Sequence, residues 1–224
     1  MSRPASADPS RPLEGRIAPQ AWPGTLGLGL VAGISALAGL GSLAGASGLA
    51  GLANLAFFRN PRRHPPSGDR LAVSPADGRV VEVAELAEPD PFVGVARRVA
   101  IFLSILDVHV NRVPLSGKVR ALRRSGNQYR AAFRAEASAR NVQVRLDVET
   151  PAGIRYALVQ ITGLIARRIV CRVDEGSALE RGRPYGLICY GSRVELIVPT
   201  QVRIQVRPGD RVRGGETVIA EVGP

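Results

Sequence analysis

The pair Gly191-Ser192 stands in an apolar run that reads as a strand. Leu187, Ile188 and Cys189 lead into it, and Val194, Leu196 and Val198 leave it with period-2 alternation. A glycine there packs nothing, and its plainest reading is a β-bulge. The other reading is chemical: glycine leaves its carbonyl open to the next hydroxyl, so Ser192 can take over the acyl group and eliminate it, leaving a pyruvoyl cap. Such a reaction needs a base beside Ser192. Of the two histidines, His64 lies in the basic turn Arg62-Arg63-His64-Pro65-Pro66, whereas His109 follows an apolar strand among Asp107, Asn111 and Arg112. Histidine shuttles protons near neutral pH, so His109 is either a packed imidazole or a proton donor and acceptor. Asp77, in Ser74-Pro75-Ala76-Asp77-Gly78, is either a turn residue or an acid that orients a base. Lys118 is the only lysine, so a mechanism built on a lysine amine has one candidate.

These residues lie in a body that reads as mainly β. From residue 59 onward, strand-like runs recur at short intervals, among them Val99-Leu103, Val142-Val148, Tyr156-Thr162 and Ile169-Val173. Between Gln128 and Arg140 the sequence fits either one soluble helix or a mobile loop. Two internal echoes appear: Val173 to Gly182 matches Val206 to Gly215 at an offset of 33, and Pro75 to Val80 matches Pro114 to Val119 at an offset of 39. Glycine pairs six apart resemble the barrel-sandwich hybrid of biotinyl and lipoyl carrier domains. The carrier chemistry itself is missing, because Lys118 lacks the flanking methionines. Cys171 and Cys189 form no metal-ligand spacing, so no metal is expected.

The formal charge of +11 calls for an anionic partner, and with aromatics at 4% there is little for nucleic-acid bases to stack on. A membrane surface is the partner expected. Residues 1–20 form a basic arm. Residues 21–58 form a hydrophobic segment, a hairpin or two short spans, and the chain carries no charge from Ile17 to Phe58. Arginines flank both ends, which places both in the cytoplasm. A segment that merely lies on the membrane is the alternative. Residues 59–224 are then the catalytic β domain, at the cell membrane and facing the cytoplasm.

Five stretches, in order, resemble the short form of phosphatidylserine decarboxylase: Phe57-Phe58-Arg59-Asn60-Pro61, Ser74 to Gly78, Asp107 to Pro114, Gln160 to Ile169 and Gly191-Ser192-Arg193-Val194. The resemblance implies a proenzyme that cuts itself between Gly191 and Ser192, pairing chain 1–191 with chain 192–224 and leaving a pyruvoyl group derived from Ser192. That group would condense with the amine of phosphatidylserine and act as electron sink for loss of carbon dioxide. Ser192, His109 and Asp77 are the catalytic set it implies, with His109 as proton donor. Asn111, Arg112, Arg167 and Arg168 are the substrate-binding candidates, the arginines for phosphate. Longer members resemble Asp-Tyr-His-Arg-x-His, and the second histidine is here Arg112, which cannot serve as a base. Either His109 serves both steps, or Asp77 and backbone strain drive cleavage. A homo-oligomer is compatible with the sequence. The competing readings are a membrane-tethered barrel-sandwich adaptor without catalysis, and a pyruvoyl enzyme for a soluble amino acid.

Overall fold

The computed structural model describes residues 13, 15–130, 140–164, 168–189 and 191–223. The chain divides into two compact units, residues 13–62 and residues 63–224. The helix expected between Gln128 and Arg140 falls largely outside the described residues.

In the first unit, α1 (Ala21–Leu37) and α2 (Gly41–Phe57) form a helical hairpin that reverses at Ala38–Leu40. Asn54 ties the two together, its Nδ2 donating to the Ala21 carbonyl and to Thr25 Oγ1, both at 2.9 Å. Leu26, Leu30, Ile34, Leu37, Leu49 and Leu52 are exposed. Among the described residues no helix is long and apolar enough to cross a membrane. The expectation of two short spans is corrected accordingly: glycine and alanine dilute the apolar surface, and the turn at Gly39 cuts the run into two 17-residue helices.

The second unit is mainly β among its described residues. Its strands are β1 (Leu71–Val73), β2 (Gly78–Glu85), β3 (Ala96–Leu103), β4 (Val110–Arg112), β5 (Gly117–Ser125), β6 (Gln143–Glu149), β7 (Arg155–Thr162), β8 (Arg168–Cys171), β9 (Ala178–Leu179), β10 (Pro184–Cys189), β11 (Ser192–Pro199), β12 (Arg203–Ile204), β13 (Arg211–Val212) and β14 (Val218–Glu221). They form an eight-stranded sheet in the order β13-β2-β3-β11-β7-β6-β5-β9 and two three-stranded sheets, β4-β10-β8 and β1-β14-β12, with every pairing antiparallel. The echoes explain the symmetry of the large sheet. Val212 pairs with Gly78 at one edge and Leu179 pairs with Gly117 at the other, so equivalent residues meet in equivalent registers.

β11 lies between β3 and β7, and all eight of its residues are buried. Its alternation sorts two environments. Val194, Leu196 and Val198 face a core shared with Ile101, Leu158 and Ile188. On the other face Arg193, 1% exposed, donates from Nε to Glu195 and from Nη2 to Glu82, both at 2.7 Å, and Arg98 also bonds Glu82. Burial pushes the Glu82 carboxyl up, but the hydrogen bonds from Arg98 and Arg193 outweigh it and hold the group below its ordinary value. Asp90 is lowered in the same way: burial opposes the shift, and Arg145 with two backbone N–H groups prevails. Groups with depressed folded values stabilise the fold above their unfolded values of 4.5 and 3.8, and that stability is lost as pH falls through the folded values. Urea midpoints should therefore drop between pH 5 and pH 3, and Glu82→Gln should flatten the drop. Arg193→Met takes a buried guanidinium from Glu82 and Glu195, leaving Arg98 beside both, and should cost about 3 kcal/mol at pH 7.

Candidate active site

Ser192 opens β11 opposite Leu103 of β3 and Thr162 of β7. It is 0% exposed, and its Oγ has no hydrogen-bond partner among the described residues. A buried hydroxyl without a partner costs free energy, so its persistence calls for a reason outside packing. Gly191, just before it, lies at φ +71°, and a Cβ there would meet nothing within 4 Å. Glycine is needed for the backbone angle, not for space. The Gly191-Ser192 peptide is thus not a bulge within one strand, as the sequence suggested. It joins β10 of a three-stranded sheet to β11 of the large sheet, and the left-handed glycine accommodates the change of sheet.

His109 precedes β4, and its main-chain carbonyl accepts from Ile188 N–H at 3.3 Å, anchoring it beside β10. Its Nδ1 lies 3.0 Å from the Asp107 carbonyl and its Nε2 lies 3.2 Å from Gly191 N. A carbonyl only accepts, so Nδ1 carries the proton and Nε2 presents its lone pair to the Gly191 N–H. An imidazole base therefore sits on the N–H of the residue whose carbonyl Ser192 would attack. Asp107 is itself tied down, with Oδ2 accepting from Ser104 N–H at 2.8 Å and Ser104 Oγ–H at 2.7 Å.

Asp77 is placed differently. Its Oδ2 accepts from Arg63 at 2.7 Å and its Oδ1 from Gly214 N–H at 2.7 Å, while Arg63 also bonds Glu216 at 2.8 Å. Burial raises the Asp77 carboxyl above its ordinary value despite Arg63 and the Gly214 N–H. Arg112 donates to the Gly182 carbonyl at 2.9 Å. Burial, with Arg63 nearby, lowers its guanidinium to about 10, which still leaves it charged at neutral pH. Asn111 is fully buried and accepts from Gln160 Nε2 at 2.7 Å. Arg168, exposed at the start of β8, pairs with Cys189; Arg167 lies outside the described residues. Burial raises the Cys189 thiol to about 11, with Arg168 opposing, so it is a poor nucleophile. No group of three or more His, Cys, Asp or Glu among the described residues could hold a metal ion.

The phosphatidylserine decarboxylase family model matches residues 52–220. The chain belongs to that family. It is similar to proteins named phosphatidylserine decarboxylase proenzyme from Pelobacter propionicus (43% identical, covering 75% of this chain and 76% of that protein), Saccharopolyspora erythraea (47%, 74% and 72%) and Rickettsia africae (44%, 75% and 74%). As a phosphatidylserine decarboxylase, the chain differs from the two-histidine pattern in a way the structure accounts for. Arg112, at the second histidine's position, is 5% exposed and held on a main-chain carbonyl, so it braces the turn at Gly182. Sequence reading missed two polar partners. Arg63, taken only as a basic flank, is the residue that engages Asp77. Gln160, taken only as part of a motif, is an amide buried between Val159 and Ile161, and that incongruity was the available signal.

Proposed function

We propose that this chain is a proenzyme that cuts itself between Gly191 and Ser192 and, as two chains, converts phosphatidylserine to phosphatidylethanolamine. The observation that carries the reading is the junction itself: a left-handed Gly191, a buried Ser192 hydroxyl without a partner, and His109 Nε2 at 3.2 Å from Gly191 N. His109 Nε2, on leaving the Gly191 N–H, takes the Ser192 hydroxyl proton, and Oγ adds to the Gly191 carbonyl. The peptide becomes an ester, with the Ser192 nitrogen as leaving group. Elimination breaks the Cβ–Oγ bond and releases Gly191 as a carboxylate. Hydrolysis of the dehydrated residue then frees ammonia and leaves the pyruvoyl group. These residues fit that group, because its carbonyl would inherit a site already closed to water.

Bound there, a pyruvoyl carbonyl supplies an electron sink to an amine whose neighbouring carboxylate departs. His109 is the group placed to return a proton to the substrate carbon. Asp77, held by Arg63 and Gly214, positions the Ser74–Gly78 turn and is assigned no proton transfer. Chain 192–224 stays with chain 1–191 after the cut, since β11 is hydrogen-bonded to β3 and β7, β14 to β1, and β13 to β2. The matched halves of the large sheet support a barrel-sandwich-type body.

A lipid substrate is supported by what surrounds Ser192. β3 leaves Leu103 into Ile105 and Leu106, 58% and 78% exposed, and β7 leaves Thr162 into Leu164, 64% exposed. Both strands flanking Ser192 thus end in exposed apolar loops, and Arg168, opposite Cys189, is a candidate for a phosphate. The uncharged helical hairpin with its exposed leucines supports attachment at a membrane face, and the arginines flanking the uncharged run favour the cytoplasmic face.

Incubation with phosphatidylserine liposomes should release carbon dioxide, and free serine should not. Release from free serine alone would replace the lipid reading with the soluble-substrate one. Ile105→Asp with Leu106→Asp should lower the rate on liposomes by about tenfold and leave a dispersed short-chain lipid within about twofold, because only bilayer contact loses apolar area.

A further inference from the structure

Beyond Ser192 Oγ, two other buried polar atoms close to the junction have no hydrogen-bond partner among the described residues. They are Asn111 Nδ2 and Gln160 Oε1, and they belong to one amide pair. Asn111 is 0% exposed and Gln160 1%. The pair spans two sheets. Asn111 is on β4, two residues after His109, whose ring reaches Gly191. Gln160 is on β7, opposite Val194, two residues before Thr162, which is opposite Ser192. Directly paired residues share a face, so Gln160 and Ser192 project from the same side of the large sheet. Gly186 makes room for the pair: a Cβ there would stand 3.0 Å from Gln160 Nε2. If both amides exchange N and O, the bond between them survives and the free donor moves from Asn111 to Gln160. Either way one N–H₂ donor and one carbonyl acceptor face the interior beside Ser192.

We propose that this Asn111–Gln160 pair is the carboxylate subsite of the reaction, and that Gln160 determines preference for an amino-acid head group over a simple amine. The inference rests on the decarboxylase reading above. A free N–H₂ suits a carboxylate oxygen, and the neighbouring carbonyl suits the ammonium or amine hydrogens of the same α-amino acid. The neutrality of the pair has a chemical consequence. During decarboxylation the C–C bonding pair moves away from the carboxylate into the electron sink, and neutral carbon dioxide leaves. An arginine at this place would stabilise the ground-state carboxylate more than the transition state and slow the step. A neutral amide orients the group in a dry site without holding back its charge. Arg112, the nearest arginine in sequence, is instead occupied at Gly182.

The test uses the full chain, its Gln160→Met variant, and short-chain phosphatidylserine and phosphatidylethanolamine. Cyanoborohydride captures the lipid amine on the group derived from residue 192, and the mass of fragment 192–224 reports it, captured serine lipid being counted together with its decarboxylated form. Gln160→Met should still cut itself. Its capture of the serine lipid at sub-saturating concentration should fall about tenfold or more, one hydrogen bond to a charged group being lost, while capture of the ethanolamine lipid stays within about twofold. Equal losses for both lipids, or none for either, would overturn the proposal. Should Gln160→Met leave the chain uncut, Gln160→Glu, of the same shape, takes its place. Failure of both to cut while the circular dichroism stays native would move the pair to self-cleavage and also overturn it. A wild-type chain that never cuts would instead bring down the decarboxylase reading itself.

Discussion

Ser192→Ala should accumulate as one uncut chain with no decarboxylase activity, whereas the wild-type protein should run under denaturing conditions as two fragments, residues 1–191 and residues 192–224. The second fragment should have a blocked N-terminus, since hydrolysis has removed its nitrogen. The effect is all-or-none because Ser192 supplies both the nucleophile and the atoms of the electron sink. Stability should change little: alanine removes a buried hydroxyl that has no hydrogen-bond partner, so the variant should melt at or slightly above the uncut wild-type chain. Ser192→Cys and Ser192→Thr separate nucleophile from geometry, because each keeps an attacking atom and should cut slowly. Intact mass decides the matter. An active, freshly expressed wild-type chain that remains whole would make Gly191-Ser192 an ordinary junction.

His109→Ala should lower both reactions. Positioned general acid–base catalysis contributes about 10²–10⁴-fold, and the imidazole is the group bonded next to the scissile carbonyl. Decarboxylation by whatever fraction still cuts should fall by that range, and the half-time of cutting should lengthen. The tautomer sets the role: Nδ1–H is spent on the Asp107 carbonyl, so the neutral ring acts as base through Nε2. Asp77→Asn is the contrasting variant: it weakens the Arg63 contact but leaves His109 untouched, so the half-time of cutting should change little. If instead Asp77→Asn abolishes cutting and His109→Ala cuts at the wild-type rate, the base is Asp77.

Much of the strand content was legible because a β-strand whose two faces meet different surroundings, apolar on one and ion-paired on the other, writes a period of two into the sequence. Val194, Leu196 and Val198 announced β11, and the glycine echoes announced the turns around β9 and β13. The 39- and 33-residue offsets were visible too, although only the paired registers of Val212 with Gly78 and Leu179 with Gly117 show that they build opposite ends of one sheet. The helical hairpin was readable as an uncharged run. That it forms two helices too short and too rich in glycine to cross a membrane depended on where the turn falls.

By itself, then, the sequence determined the candidates for the chemistry: Ser192 after a glycine, His109 as one of only two histidines, and Lys118 as the single lysine. These follow from residue type and order, which need no third dimension. The tertiary structure alone decided partners. It drew Asp77 to Arg63 and Gly214, fixed Arg112 on Gly182, brought His109 to Gly191 and joined Asn111 to Gln160 across two sheets. The physical reason is that a hydrogen bond between residues 49 or 82 positions apart leaves no periodic trace in the chain. Such contacts arise only when burial closes the sheets on one another and each polar group, cut off from water, must take whatever partner the fold presents.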